Sequence, residues 1–269
     1  MPNSPKLVRT TTLADFKREG RRFSCLTSYD QLTAGIFDEA GVDVILVGDS
    51  AADNALGYSS TLPITVDEMI PFGRAVSSAV NRALVVIDMP FGSYETSDDD
   101  ALKNAIRFMK ESGVSAVKLE GGQRSASKIK TITQAGIPVM AHLGFTPQSV
   151  NNLGGFKVQG RGDAAGQLMA DALAVEAAGA FAVVLELVPA AIATEISAKL
   201  TIPTIGIGAG RGTDAQILVW TDFAGLSAHK PRKFVKQYAQ IRQTLLDAAI
   251  DYTSEVRSGA FPAAANEFE

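Results

Sequence analysis

The stretch Ser115-Ala116-Val117-Lys118-Leu119-Glu120-Gly121-Gly122 places charge on one face of a predicted strand. Side chains along a strand alternate between two faces, so Val117 and Leu119 point one way while Lys118 and Glu120 point the other. Lysine and glutamate are rarely buried unless they are paired or bind a ligand. An exposed edge strand with a surface ion pair shows the same pattern. The rest of the chain decides between these interpretations.

The chain on either side of this stretch repeats one pattern: an apolar strand, a polar turn, a helix and a glycine. The strand Val42–Val47 is almost entirely apolar, which is typical of strands covered by protein on both faces. The repeats predict eight strands, with the last at Phe223–Leu226. We therefore predict a single (β/α)8 TIM barrel over residues 1–269 rather than a doubly wound sheet. A short N-terminal helix (about 12–20) and a long C-terminal helix (about 234–256) complete this prediction.

The composition narrows the classes of function. The 269 residues carry 25 basic and 29 acidic side chains, a net charge of −4, without the basic runs that follow a nucleic-acid backbone. The single cysteine, Cys25, excludes an intrachain disulfide, and residues 1–6 lack the apolar core of a signal peptide, so we expect a cytoplasmic protein. No apolar run approaches the ~20 residues that cross a bilayer. We predict neither a nucleic-acid nor a membrane partner.

Four of the predicted strands end in an acid or in a turn that contains one: Asp49, Asp88, Glu120 and Glu186. A single acid at a strand end is most simply a cap for the helix that follows. In a parallel barrel, however, all the carboxyl ends of the strands share one rim, and such enzymes place their chemistry there. Four acids at this rim are better explained by one functional site than by four separate caps.

Acids that converge at one rim repel one another unless a cation lies between them. Oxygen ligands from Asp49, Asp88 and Glu120 favour a hard divalent ion such as Mg²⁺. Lys118 would neutralise part of the remaining charge. A zinc site is disfavoured because the chain has only one cysteine and two histidines.

The two histidines lead to different expectations. His142 follows the fifth predicted strand, so it either faces the rim or is a core imidazole bonded to a backbone carbonyl. His229 lies in a polar turn before Pro231 and is expected on the surface. Only His142 is therefore a further candidate for the site.

Seven motifs occur in order across nearly the whole chain. They are Thr27-Ser28-Tyr29-Asp30, Val47-Gly48-Asp49-Ser50, Asp88-Met89-Pro90-Phe91, Val117-Lys118-Leu119-Glu120-Gly121-Gly122, the stretch from His142 to Val150, Gly155-Phe156-Lys157-Val158-Gln159-Gly160-Arg161 and Ile205-Gly206-Ile207-Gly208-Ala209-Gly210. Together they are highly specific, and the chain resembles the ketopantoate hydroxymethyltransferase family. The resemblance implies a (β/α)8 barrel of the phosphoenolpyruvate/pyruvate type.

The resemblance also implies an activity. Members of this family transfer a hydroxymethyl group from 5,10-methylenetetrahydrofolate to 3-methyl-2-oxobutanoate, giving 2-dehydropantoate in the first step of pantothenate biosynthesis. The resemblance therefore implies a 2-oxo acid and a reduced folate as substrates, Mg²⁺ as cofactor and a homo-oligomer, specifically a decamer. The chemistry agrees with the acids at the rim, since a 2-oxo acid can chelate Mg²⁺ and the metal then stabilises the enolate.

Matching the family's motifs residue by residue implies the metal ligands. Asp49 and Asp88 are implied as direct Mg²⁺ ligands that also contact the substrate. Glu120 is implied as a further ligand, directly or through water.

The same matching implies roles in substrate binding and catalysis. Ser50 and Lys118 are implied to bind the carboxylate of the oxo acid. Glu186 matches the catalytic base, which removes the C3 proton. His142 remains an additional candidate for substrate binding.

Two positions depart from the pattern expected of the family. Tyr58 stands where some members have histidine, and Leu187 replaces a cysteine after the base.

Two other functions fit the same rim: a Mg²⁺-dependent 2-oxo-acid lyase or aldolase that uses no folate, and a non-catalytic barrel that senses a metabolite. The Phe156-Lys157-Val158-Gln159 segment favours the transferase.

Overall fold

The computed structural model describes residues 6–228 and 230–268, where eight strands form a closed, all-parallel barrel in which β8 pairs with β1. The prediction of a (β/α)8 TIM barrel is confirmed. The strands are β1 (Phe23–Thr27), β2 (Val44–Val47), β3 (Leu84–Asp88), β4 (Ala116–Glu120), β5 (Val139–Gly144), β6 (Ala182–Glu186), β7 (Thr204–Ile207) and β8 (Ala215–Leu218).

The α-helices precede, connect and follow these strands. They are α1 (Thr10–Arg18), α2 (Gln31–Glu39), α3 (Ala51–Asn54), α4 (Val66–Ala79), α5 (Asp98–Ser112), α6 (Ala126–Gln134), α7 (Val150–Leu153), α8 (Ala164–Ala177), α9 (Ala190–Lys199), α10 (Trp220–Phe223) and α11 (Ile241–Ser258). Over the described part of the chain, none of them combines the length and apolar character needed to span a bilayer.

Apolar side chains close the N-terminal end of the barrel. Leu13 and Phe16 of α1 are buried in the same cluster as Val86 and Met140, which come from β3 and β5. Burying such side chains away from water is the main favourable contribution to folding. The charged ends of the strands therefore lie at the opposite end of the barrel.

The last predicted strand, Phe223–Leu226, is wrong. The eighth strand is β8, where Ala215 and Ile217 are buried and Gln216 between them is exposed. Phe223 instead ends the short helix α10, and the Ala224 N–H donates to the Trp220 carbonyl. Residues 208–214, which join β7 to β8, contain no helix, so the regular repeat failed at this connection.

Both terminal helices begin at positions different from those predicted. The N-terminal helix is α1, Thr10–Arg18 rather than 12–20, because Arg9 is its N-cap and the Arg9 N–H donates to the Thr12 hydroxyl. The C-terminal helix α11 begins at Ile241 rather than 234. The N–H groups of Tyr238 and Ile241 donate to the carbonyls of Phe223 and Ala224, which holds the preceding segment out of a helix.

By their contacts, the residues up to Val219 form one compact unit and the residues from Trp220 onward form another. The single-domain organisation of residues 1–269 stays a prediction. The predicted surface position of His229 lies outside the described residues.

Candidate active site

The strand register brings the predicted site residues together at the rim, the C-terminal ends of the barrel strands. Asp88 at the end of β3 is level with Lys118 of β4, and Glu120 is level with His142 of β5. Glu186 ends β6 opposite Gly144. The buried alternative for Lys118 and Glu120 is therefore correct, since the charged face of β4 is covered rather than exposed at a sheet edge.

Asp49, Asp88 and Lys118 form the first part of the site. Lys118 Nζ lies 2.5 Å from Asp88 Oδ1, and the Asp49 N–H donates to Asp88 Oδ2 at 3.0 Å. Burial, followed by the nearby carboxylates of Asp88 and Glu120, raises the pKa of Asp49. Burial lowers the pKa of Lys118, but the surrounding carboxylates outweigh it and raise that pKa. The ammonium is therefore fixed as a cation between acids.

Glu120, His142 and Glu186 form the second part. His142 Nδ1 lies 3.4 Å from Glu120 Oε1, and His142 Nε2 lies 3.2 Å from Glu186 Oε2. Burial and the Lys118 ammonium lower the pKa of His142, but hydrogen bonds to the two glutamates outweigh them and raise it to about 9. The imidazole is therefore protonated at neutral pH and links the predicted metal ligand to the predicted base. It is not the core imidazole bonded to a backbone carbonyl.

The charges of this cluster fit a divalent cation. Four carboxylates face one ammonium and one imidazolium, so the ionised cluster carries two more negative than positive charges. Burial is the main cause of the raised pKa of Asp49, and the carboxylates of Asp88 and Glu120 raise it further. The donors are hard oxygen atoms of the kind that bind Mg²⁺. Within residues 6–228 and 230–268, no three acid, imidazole or thiol groups already surround one point.

Ser50 lies beside the acids at the start of α3. Its Oγ is 2.6 Å from the Tyr29 hydroxyl, and Thr27 Oγ1 donates to the same tyrosine oxygen at 3.3 Å. Burial raises the pKa of Tyr29, so this phenol stays protonated and can orient the serine hydroxyl. Tyr29 was not predicted as a site residue, although it lies in one of the seven motifs.

Gln148 and Tyr94 were also missed. Both are buried, and the Gln148 amide donates to Asp49 Oδ2 at 2.8 Å and to the Met89 carbonyl at 3.0 Å. The Tyr94 hydroxyl donates to Gln148 Oε1 at 2.5 Å and accepts the Glu120 N–H at 3.2 Å. Gln148 lies in the motif that starts at His142, but its amide suggested no chemistry without knowledge of its neighbours.

The two positions that depart from the family pattern lie in different surroundings. The Tyr58 hydroxyl donates to Glu68 Oε1 at 2.6 Å, and Glu68 is the capping-box residue of α4. Leu187 follows Glu186 directly and adopts φ 48°, a left-handed conformation rare for a residue other than glycine. The Leu187 N–H donates to the Ile207 carbonyl, and the Leu187 carbonyl accepts the backbone N–H of Gln159. Leu187 thus holds the Phe156–Gln159 segment beside the end of β6.

Solved structures share this barrel. Phosphonopyruvate hydrolase in complex with oxalate and Mg²⁺ superposes with a TM-score of 0.63 at 14% identity, covering 96% of this chain and 92% of that one. A 2,3-dimethylmalate lyase of the PEP mutase/isocitrate lyase superfamily gives a TM-score of 0.59 at 16% identity, covering 97% and 91%. These similarities confirm the (β/α)8 barrel fold.

Relatives of known name are much more similar in sequence. The 3-methyl-2-oxobutanoate hydroxymethyltransferase of Leifsonia xyli subsp. xyli (strain CTCB07) is 59% identical, covering 98% of this chain and 96% of the relative. The enzymes of the same name from Mycobacterium sp. (strain KMS) and Acidothermus cellulolyticus (strain ATCC 43068 / DSM 8971 / 11B) are 58% and 57% identical, covering 97% and 98% of this chain and 93% and 97% of theirs. The ketopantoate hydroxymethyltransferase family model matches residues 7–264. The chain belongs to the ketopantoate hydroxymethyltransferase family.

Proposed function

We propose that this protein transfers a hydroxymethyl group from 5,10-methylenetetrahydrofolate to 3-methyl-2-oxobutanoate, giving 2-dehydropantoate, the first step of pantothenate biosynthesis. One observation carries the proposal: a buried cluster of acids with Lys118 at the rim, linked through His142 to the partly accessible carboxylate of Glu186. The names of relatives that are 57–59% identical support the choice of oxo acid. The free, buried thiol of Cys25 supports a cytoplasmic location.

The oxo acid is bound by the cationic side of the cluster. Lys118 Nζ lies 2.5 Å from Asp88 Oδ1, so it is held in place before substrate arrives. Ser50 Oγ, oriented by the Tyr29 hydroxyl, supplies a hydroxyl donor beside Asp49. These two groups bind the substrate carboxylate, which a charged donor and an oriented hydroxyl recognise well.

Asp49 and Asp88 would hold Mg²⁺, with Glu120 as a further ligand directly or through water. When bound, Mg²⁺ supplies Lewis-acid stabilisation of the negative charge that develops on the keto oxygen. Lys118 limits the remaining excess of negative charge, because its ammonium stays paired with Asp88.

Glu186 removes the proton from C3 of the oxo acid. His142 Nε2 lies 3.2 Å from Glu186 Oε2, which leaves Oε1 of this carboxylate to accept the proton. The C3–H bond breaks, an O–H bond forms on Glu186, the electron pair enters the C2–C3 bond, and the π pair of the C2 carbonyl moves onto the keto oxygen. C3 then forms a bond to the methylene carbon carried by folate, both C–N bonds of that methylene group break, and water supplies the hydroxyl group. The two nitrogen atoms of the released tetrahydrofolate take up the proton held by Glu186 and the remaining proton of the water.

The test of this base is exchange of the C3 hydrogen in deuterated water without folate. Glu186→Gln should slow exchange by about 10²–10⁴, the usual contribution of a general base, while Mg²⁺ and oxo-acid binding stay nearly unchanged. Glu195→Gln, at an exposed glutamate on α9, is the matched control and should exchange at the wild-type rate. Full-rate exchange in Glu186→Gln would rule out this assignment and point to His142.

The complete reaction distinguishes the transferase from the other two functions. Wild-type protein is incubated with labelled methylenetetrahydrofolate and 3-methyl-2-oxobutanoate, with and without Mg²⁺, and labelled 2-dehydropantoate is measured by mass spectrometry. We expect label transfer that depends on Mg²⁺. Cleavage of a 2-oxo acid without folate would indicate the lyase or aldolase, and binding without turnover would indicate the sensor.

A further inference from the structure

Gln148 uses every hydrogen-bonding atom of its side chain in the buried wall of the site. Its amide nitrogen donates to Asp49 Oδ2 at 2.8 Å and to the Met89 carbonyl at 3.0 Å. Its amide oxygen accepts from the Tyr94 hydroxyl at 2.5 Å, and its backbone N–H donates to Glu120 Oε2 at 3.1 Å. One residue thus contacts the side chains of two predicted metal ligands.

The chemistry of its neighbours determines the orientation of the Gln148 amide. Asp49 and the Met89 carbonyl only accept hydrogen bonds, so the two amide hydrogens must face them. The amide oxygen then faces Tyr94, whose hydroxyl donates to it at 2.5 Å. Tyr94 Oη in turn accepts the backbone N–H of Glu120 at 3.2 Å. The bonds form a continuous chain from Asp49 through Gln148 and Tyr94 to Glu120.

We infer that Gln148 and Tyr94 are positioning residues that orient the carboxylates of Asp49 and Glu120 for a divalent cation. This inference rests on the proposed function, because it assumes that these acids bind the metal. Both residues are almost completely buried, with 6% and 3% of their surface exposed. Groups that hydrogen-bond to metal ligands fix the ligands' orientation, and their loss commonly weakens metal binding by about 10–100-fold.

A purely structural role makes a different prediction. The bond from Gln148 to the Met89 carbonyl also ties the loop after β5 to the loop after β3. If that were its only role, removing the amide would lower the melting temperature but leave the metal affinity of the folded protein unchanged. Metal affinity, measured without substrate, therefore separates the two roles.

The experiment titrates Mn²⁺, which prefers the same oxygen-rich octahedral sites as Mg²⁺, into each apoprotein and follows free Mn²⁺ by electron paramagnetic resonance. The variants are Gln148→Leu and Tyr94→Phe, with Gln167→Leu as a matched control at an exposed glutamine of α8. Circular dichroism shows that each variant is folded. Tyr94→Phe keeps the ring and removes only the hydroxyl, so it tests the inference even if Gln148→Leu does not fold.

We expect Gln148→Leu to weaken Mn²⁺ binding by about 10–100-fold. Tyr94→Phe should weaken it by a smaller factor, because the phenol acts through Gln148, and Gln167→Leu should bind as wild type. Folded Gln148→Leu or Tyr94→Phe with wild-type Mn²⁺ affinity would overturn the inference.

An additional variant, Asp88→Ala, separates this inference from the proposed function. It should lose Mn²⁺ binding because it removes a predicted ligand. If wild type did not bind Mn²⁺, or if Asp88→Ala bound it as tightly as wild type, the proposed metal site itself would be wrong. If Asp88→Ala lost binding while Gln148→Leu and Tyr94→Phe kept it, only the positioning role would be wrong.

Discussion

Lys118 remains charged although it is buried, because acids surround it. Its side chain is 6% exposed and pairs with Asp88 at 2.5 Å, and carboxylates raise its pKa despite burial. Removing one partner of a buried ion pair leaves the other charge uncompensated, which costs more than the intact pair contributes. The charge of Lys118 is thus necessary for the buried acids that surround it.

Lys118→Met should therefore lower the free energy of unfolding of the metal-free protein by about 3–5 kcal/mol, as measured by urea denaturation. The control is Lys103→Met, which removes an exposed ion pair with Asp100 at 3.6 Å and should change the free energy by less than about 0.5 kcal/mol. Similar effects of the two substitutions would show that Lys118 is not compensating buried acids.

Cys25 is buried in β1, and burial, with a smaller contribution from Asp43, raises the pKa of its thiol. The thiolate is the reactive form of cysteine, so a buried and protonated thiol is inert. We expect no reaction of the native protein with a dithiobis-nitrobenzoate reagent at pH near 8, and reaction of the single thiol in guanidinium chloride. Rapid labelling of native protein would show that β1 opens easily.

At the scale of elements, helix ends follow local chemistry closely. Thr65 and Glu68 form the capping box of α4, and the Asp30 side chain accepts the Thr33 N–H at the start of α2. At the other end of a helix, Gly113 follows α5 with φ 74°, a left-handed conformation that glycine adopts without strain. These capping interactions involve residues within a few positions of one another in the sequence.

Two glycine substitutions should change stability in opposite directions. A Cβ at Gly113 would meet Ser77 at an ordinary 3.6 Å, so Gly113→Ala should destabilise the protein by about 1 kcal/mol through its backbone angle alone. Gly166 lies inside α8, and a Cβ added there would have no neighbouring atom within 4 Å, so Gly166→Ala should stabilise the protein by about 0.5–1 kcal/mol. Urea denaturation measures both, and equal signs would contradict this explanation.

At the scale of the whole molecule, an apolar cluster and the candidate active site lie at opposite ends of the barrel. The apolar cluster with Leu13 and Phe16 closes one end, while the four acids lie at the rim. Large apolar side chains are exposed on helices of both units, among them Leu32 (78%) and Ile36 (61%) of α2, and Leu245 (57%) and Ile250 (56%) of α11. Exposed apolar surface of this kind is typical of interfaces between proteins.

The decamer predicted from the resemblance is tested by sedimentation equilibrium. We expect the mass of a large homo-oligomer for wild type and a smaller mass for Leu245→Glu/Ile250→Glu, because burying the new charges would be costly. Asp251→Asn, an exposed change on α11, should leave the mass unchanged. A monomer of the wild-type protein at micromolar concentration would exclude the decamer.

The sequence alone determined the parts of this protein that depend on short-range patterns. Apolar runs predicted the first seven strands, glycines predicted the ends of helices, and the acids Asp49, Asp88, Glu120 and Glu186 predicted a shared rim. The (β/α)8 fold follows from this repetition, because parallel strands joined by helices bring all their carboxyl ends to one side. The order of seven motifs identified the family before any contact was known.

Only the tertiary structure decided the contacts between distant parts of the chain. Gln148 contacts Asp49 across 99 positions and Tyr94 across 54, and neither spacing leaves a periodic pattern in the sequence. The start of α11 was mispredicted for the same reason, since carbonyls at the end of α10 take the N–H groups of Tyr238 and Ile241. The pKa of His142 likewise depends on Glu120 and Glu186 approaching from two other strands. Hydrogen bonds and charge interactions depend on distances in space. For residues far apart in the sequence, only the folded barrel sets those distances.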